Sequence, residues 1–303
     1  MTPAEQAEAA VTLASWAGLL AHILDQAVPG SALDDDLGRF VEACTALRDA
    51  AQTPEPEPGP EPEPEPTEWP DAASTGPTGD LTPSGPVTST HDGQVIAGLH
   101  ITGGVTIDHD DVVVRDCQID STGRYGVDID PATTGTLLAR VRMKGVSGER
   151  SAGIPPYGSW TAIGCDIAGF VDGAKMGDKC RLERSWIHDL HKAEGTHNDG
   201  IQIRRGDDIA IVGCAIEGPW QQSTSAILAQ AADGAISRLL IADTLISGGG
   251  YSLYLTEKGY SLDAAVRRVV WRAGSWQYGP ISTKGSPEIV WDRCATDTGT
   301  ALP

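Results

Sequence analysis

The densest run of ionisable side chains is His188, His191, His197 and Asp199, spaced H-x2-H-x5-H-x-D. His188, His191 and His197 could ligate a metal, or His197 could move protons together with Asp199. The spacing matches no helical zinc motif of the H-E-x-x-H kind, so no metal is expected. Asp199-Gly200 also repeats Asp172-Gly173, and such a pair turns a chain into a strand, which gives Asp199 a structural task. A second group follows from alternation. In YGVDID, DGAKM and DGIQI the apolar Val127, Ala174 and Ile201 point to one side, so Asp128, Lys175 and Gln202 point to the other. Asp130 and Arg204 lie two residues further along that outer face. If neighbouring strands stack ~4.8 Å apart, these groups converge. A lysine in such a cluster works as a base only if burial or nearby cations lower its pKa. Aromatic rings form the third group: Trp160, Trp186, Trp220, Trp276 and Tyr254 fall near strand ends or turns, where flat faces can stack on a ligand. The expected ligand-contacting set is Asp128, Lys175, Trp186, Gln202, Arg204 and Tyr254. The candidates for chemistry are Lys175, His197, Asp199 and Arg204.

No phosphate-binding loop, dinucleotide fingerprint or G-x-S-x-G elbow occurs, and no cofactor is expected. Gly248-Gly249-Gly250 reads as a turn before YSLYL.

What positions these residues is an internal repeat over residues 91–303. VVRDCQI, LLARVRM, TAIGCDI, RLERSWI, AIVGCAI and LIADTLI align as short strands with alternating apolar positions, followed by weaker copies around Trp271 and in VWDRCAT. Their equivalent fifth positions are Cys117, Val141, Cys165, Ser185, Cys214, Thr244, Trp271 and Cys294, at spacings of 20 to 30 residues. A second short strand follows in YGVDID, DGAKM, DGIQI, SAILAQ, YSLYL and GPISTK. Strand, turn, strand, turn at this period predicts a mainly β solenoid whose stacked rungs bury one continuous core. Cys117, Cys165, Cys214 and Cys294 then stack inside as small free thiols.

Residues 1–52 read as two helices. Thr2-Pro3-Ala4-Glu5 is a capping box, and Leu13, Trp16, Leu20, Ile23 and Ala27 step by 3, 4, 3, 4 as a heptad seam. Two short helices bury little surface alone, so a homo-oligomer, with three chains favoured, is expected. Residues 53–90 read as a linker. Thr53–Pro66 alternates Pro with like-charged Glu and should be an extended polyproline II spacer; residues 67–90 continue as a Gly/Ser/Thr/Pro loop.

Composition narrows the partners. The chain has 42 acidic and 22 basic residues, a net charge of −20, and its first ninety residues carry 16 acidic against 2 basic side chains. That excludes a nucleic-acid backbone binder, and it argues against docking on anionic lipid. No apolar run reaches ~18 residues, so no membrane insertion is expected. MTPAEQAEAAVTLASWAGLL lacks a basic start, so synthesis in a cytoplasm without a signal peptide is expected.

The segments DGAKMGD (172–178), SWIHDLH (185–191) and HNDGIQI (197–203), with GGGYSLYL beyond them, resemble the right-handed parallel β-helix, pectate-lyase-like proteins of actinobacteria and their phages. The resemblance covers about residues 92–260. It implies a right-handed parallel β-helix, preceded here by the N-terminal α-helical segment and the Pro/Glu-rich linker. The order of helices, spacer and solenoid resembles phage minor tail proteins or tail fibres. That likeness implies a virion-tail location, contacts to other tail proteins through the N-terminal helices, and a host cell-surface carbohydrate as partner. Uronic-acid lyases of this fold set a carboxylate, a lysine and an arginine on one face, which gives the alternative expectation of a polysaccharide lyase or glycoside hydrolase.

Overall fold

The computed structural model describes residues 69–192, 197–219 and 225–303. The helices read at 1–52, the Pro/Glu stretch and Trp220 lie outside the described residues. Thr67–Pro303 is one compact unit. It is mainly β, with no helix among the described residues. Its strands form a 17-stranded, a six-stranded and a three-stranded sheet. The strand ladders are parallel, and one isolated antiparallel bridge joins Ala295 to Ala301 near the C-terminus. Each strand pairs with its equivalent one repeat later, as in a parallel β-solenoid.

Alternation in the sequence becomes stacking in the core. Ile101, Ile119, Met143, Ile167, Ile187, Ile216, Ile246 and Trp271 follow one another through the ladder registers, and all are fully buried. Ile154, Ala174, Ile201, Ile227 and Leu253 form a second buried column under the six-stranded sheet. Each buried large aliphatic side chain contributes roughly 1.5–3 kcal/mol, and no single rung could bury its own.

The corner between the two strands of each repeat has a fixed construction. Gly98, Asp116, Arg140, Gly164, Arg184, Gly213, Asp243, Arg268 and Arg293 all have φ between 43° and 69°. A left-handed residue bends the chain there without ending the ladder. In eight of these nine rungs the next residue is Cys117, Val141, Cys165, Ser185, Cys214, Thr244, Val269 or Cys294. That position selects small side chains able to hold the corner. The Ser185 hydroxyl donates to the Glu183 carbonyl at 2.8 Å and accepts from the Cys165 N–H at 3.0 Å. Thr244 does the same with Ala242 and Cys214, at 2.7 and 3.3 Å. The four cysteines of the column are buried free thiols. Burial pushes the Cys165 and Cys214 thiols up to about 12. A thiol reagent should therefore label almost none of the four in the folded chain and all of them in denaturant. Native labelling of several would contradict this packing.

Three positions differ from the sequence reading. The seventh corner residue is Val269, because Val270 pairs with Leu245; Trp271 instead stacks on Ile246 in the main core column. A further second strand, Ala152–Ile154, lies between YGVDID and DGAKM. It is three residues long and ends at Pro155-Pro156, so it shows no alternation to read. Pairing also begins before residue 91. Thr82–Ser84 pairs with Leu99–Gly103 and Val87–Thr88 with Val105–Ile107. Pro83 and Pro86 suggested a loop, but a first rung needs partners on one side only, where proline is tolerated.

Candidate functional site

The site is on the outer face of the six-stranded sheet, whose strands are Ala152–Ile154, Asp172–Met176, Asp199–Ile203, Ser225–Ala231, Tyr251–Glu257 and Gly279–Lys284. Lys175 pairs with Gln202, then Leu228, Tyr254 and Ser282 follow on successive rungs. Three residues earlier on the same strands, Asp172, Asp199 and Ser225 occupy equivalent positions. The glycines beside them explain why. A Cβ on Gly173 would lie 2.4 Å from Ile187 Cγ2, and one on Gly200 would lie 2.5 Å from Ile216 Cγ2. Glycine lets the strand start press on the core, and the preceding aspartate is buried beside it.

Asp172 and Asp199 form a ladder of carboxylates. Asp172 Oδ1 accepts the Asp199 N–H at 2.9 Å, and Asp199 Oδ1 accepts the Ser225 N–H at 2.9 Å and the Ser225 hydroxyl at 2.5 Å. Both residues are 2% exposed. Their second oxygens differ. Asp172 Oδ2 lies 3.3 Å from Lys175 Nζ, which also donates to Ser151 Oγ at 3.2 Å. Asp199 Oδ2 is buried and has no hydrogen-bond partner among the described residues. Burial raises the pKa of both acids, but Lys175, the Asp199 N–H and the charge of His197 offset part of this at Asp172. At Asp199 burial dominates and the Asp172 charge adds to it. The Ser225 bonds and the Gln202 side chain oppose them, and the carboxyl is pushed up to about 7. The two like groups thus have different neighbours: Lys175 offsets burial at Asp172, and no cation among the described residues does so at Asp199.

An aromatic cluster borders the pair. Tyr254 meets Tyr251 edge-on at 5.3 Å, and Tyr251 lies 5.6 Å from Tyr278. Burial, then the charges of Tyr251 and Asp199, raise the Tyr254 pKa, so the phenol lies within electrostatic reach of the carboxylate.

Of the residues named from sequence, Lys175, Gln202, Asp199 and Tyr254 share this face, and His197 is within electrostatic range of Asp172. Asp128 is elsewhere. It belongs to the three-stranded sheet of Val87–Thr88, Val105–Ile107 and Val127–Ile129, and Ala152–Ile154 separates its rung from that of Lys175. Burial, Asp108 and Asp130 raise its pKa, against the charge of Arg124. Arg204 directly follows the Asp199–Ile203 strand of this sheet, but Asp233 holds its guanidinium at 2.9 and 3.0 Å and Gln230 at 3.1 Å.

The histidines separate. His188 is on the large sheet, where Nε2 meets Asp166 at 2.9 Å and Nδ1 meets Asp189 at 3.0 Å, while Arg142 holds Asp166 at 2.7 Å. Burial works against protonation there, and the two carboxylates outweigh it, so the His188 pKa is raised. Trp186 stacks on this imidazole at 3.4 Å and donates to Glu217 at 3.0 Å. One Trp186 face is therefore covered by protein. His191 meets Arg150 instead, at 2.8 Å. No group of three or more His, Cys, Asp or Glu among the described residues is arranged to hold a metal. Trp160 is buried with its indole N–H on the Pro155 carbonyl, and Trp276 packs against the core.

Asp172, Ser151 and Ser225 escaped the sequence reading. The usable signal was present: Asp172-Gly173 and Asp199-Gly200 recur at the rung spacing, so a turn read twice is also two stacked carboxylates. Comparison with protein-family models, curated proteins and solved structures gives no match for this chain, so its function has to be read from these residues.

Proposed function

We propose that this face hydrolyses a glycosidic bond in a cell-surface polysaccharide, with Asp199 as the acid and Asp172 as its ionised partner. The carrying observation is the buried carboxylate pair, in which one member is tied to Lys175 and the other has an oxygen with no hydrogen-bond partner among the described residues. Equivalent atoms on adjacent strands stand roughly 5 Å apart. That separation suits a double displacement; inversion needs ~6.5–9.5 Å to admit a water. Asp199 gives its proton to the glycosidic oxygen as the C1–O bond breaks, and an Asp172 oxygen forms the ester to C1. Asp199, now ionised, takes a proton from water, whose oxygen displaces Asp172 and releases the sugar. Lys175 faces a carboxylate and a hydroxyl, which favours hydrolysis over lysine-driven elimination. Half-buried Lys175, Gln202 and Tyr254 form the outer edge of the face, and substrate entry requires these side chains to move.

The setting we propose follows the resemblance: a right-handed parallel β-helix in a phage tail, held by trimerising N-terminal helices and projected by the Pro/Glu spacer. A non-cleaving glycan adhesin is the second reading. The same aspartates favour it through their Oδ1 atoms, which bond the next rung and would suffice as a structural ladder. Incubating the chain with host cell-wall polysaccharide separates these readings. New reducing ends without absorbance of unsaturated uronates indicate hydrolysis. Unsaturated uronates indicate a lyase, and retention of the glycan without new ends indicates an adhesin.

A further inference from the structure

Arg150 is the one partly buried arginine without a carboxylate partner among the described residues. Arg142, Arg181, Arg204 and Arg268, also partly buried, pair with Asp166, Glu183, Asp233 and Asp243. The acid next to Arg150, Glu149, goes to Arg124 at 3.4 Å. The Arg150 Nε is buried and makes no hydrogen bond. Its Nη2 donates to His191 Nε2 at 2.8 Å. A guanidinium has no lone pair to offer, so the imidazole Nε2 accepts, and it orients the arginine without bringing a negative charge.

The backbone holds the residue firmly. Arg150 has φ +47°, its N–H donates to the Gly123 carbonyl at 3.2 Å, and its carbonyl accepts the Val171 N–H at 2.8 Å. A strained backbone fixed on both sides marks a position whose geometry is imposed. The location adjoins the carboxylate face. Ser151 is the next residue and receives Lys175, and the His191 carbonyl accepts the amide of Asn198, which precedes Asp199. In a chain of net charge −20, a held fork of N–H donors beside that face, with no carboxylate partner among the described residues, suits an anion.

We propose that Arg150, oriented by His191, binds an oxyanion substituent of the ligand: a carboxylate, sulfate or phosphate group. This goes beyond the hydrolysis reading, which needs no charged sugar. The test follows arginine Nε–H resonances of the full-length chain by ¹H–¹⁵N spectroscopy at constant ionic strength. Glucuronate, sulfate and phosphate are titrated, with glucose as the uncharged control. One Nε–H resonance should shift and saturate with the anions and stay still with glucose. Arg150→Lys should remove that resonance, and Arg150→Gln should weaken glucuronate binding at least tenfold. Tighter binding of glucuronate than of sulfate and phosphate would identify a saccharide carboxylate; equal binding would identify a free anion. No shift with any anion, or a response surviving in Arg150→Lys, would overturn the proposal. Cleavage without an anion response leaves hydrolysis standing and removes this site, and an anion response without cleavage does the reverse.

Discussion

Asp199→Asn is expected to lower polysaccharide cleavage by about 10²–10⁴-fold, the usual contribution of a positioned general acid. Asparagine keeps the Oδ1 that accepts from Ser225, so the rung remains closed. The same variant should change how stability depends on pH, in a direction opposite to that of an ordinary paired carboxylate. In the unfolded chain Asp199 ionises near ~3.9. In the folded chain burial pushes it up to about 7. Between these values the native state keeps a proton that the unfolded state releases, so this residue makes stability fall as pH rises from about 4 to about 7. A difference of about three units amounts to roughly 4 kcal/mol. Above pH 7 both states are ionised and the penalty is constant. The variant should therefore gain on the unmodified chain as pH rises through this window. Urea unfolding of both proteins at pH 4.5, 6 and 7.5 measures it. A difference in stability that does not change with pH would mean that Asp199 is solvated and ionised in the fold.

The second large effect concerns the glycine that aims Asp199. A Cβ on Gly200 would lie 2.5 Å from both the Ala226 carbonyl oxygen and Ile216 Cγ2. Neither can yield easily, since one is ladder backbone and the other sits in the main core column. Gly200→Ala should destabilise the chain by about 2–3 kcal/mol, the upper part of the range for forced overpacking. For a unit of this size that lowers the melting temperature by roughly 4–12 °C. Gly85→Ala is the control, because nothing lies within 4 Å of its added Cβ. It should stay within about 0.5 kcal/mol. Equal effects of the two substitutions would show that the strand start does not press on the core.

How far these features could be read from sequence depended on whether their cause was local. The column of Cys117, Cys165, Cys214 and Cys294 was legible because each rung repeats the same left-handed corner, and that corner selects a small residue after it. Lys175 and Gln202 were correctly placed on adjacent rungs because DGAKM and DGIQI alternate cleanly. Asp128 was misplaced because Ala152–Ile154 is too short to alternate, so a whole rung went uncounted. Arg204 read as an available cation because its partner, Asp233, lies 29 residues later and depends on register. Asp172 was visible, but an Asp-Gly pair has a sufficient explanation as a turn. Only the ladder shows that two such turns place two buried carboxylates together. The Oδ2 of Asp199 and the Nε of Arg150 have no sequence signature, since both are defined by the lack of a hydrogen-bond partner among the described residues.

The most direct test of the carboxylate pair is real-time proton NMR of the first sugar released when the full-length chain is mixed with host cell-wall polysaccharide. A C1 proton signal with the same anomeric configuration as the cleaved bond, later drifting to the equilibrium mixture, is the result expected from two carboxylates roughly 5 Å apart. A first product of inverted configuration, or no new reducing-end signal at all, would contradict the assignment of Asp172 and Asp199 as a hydrolytic pair.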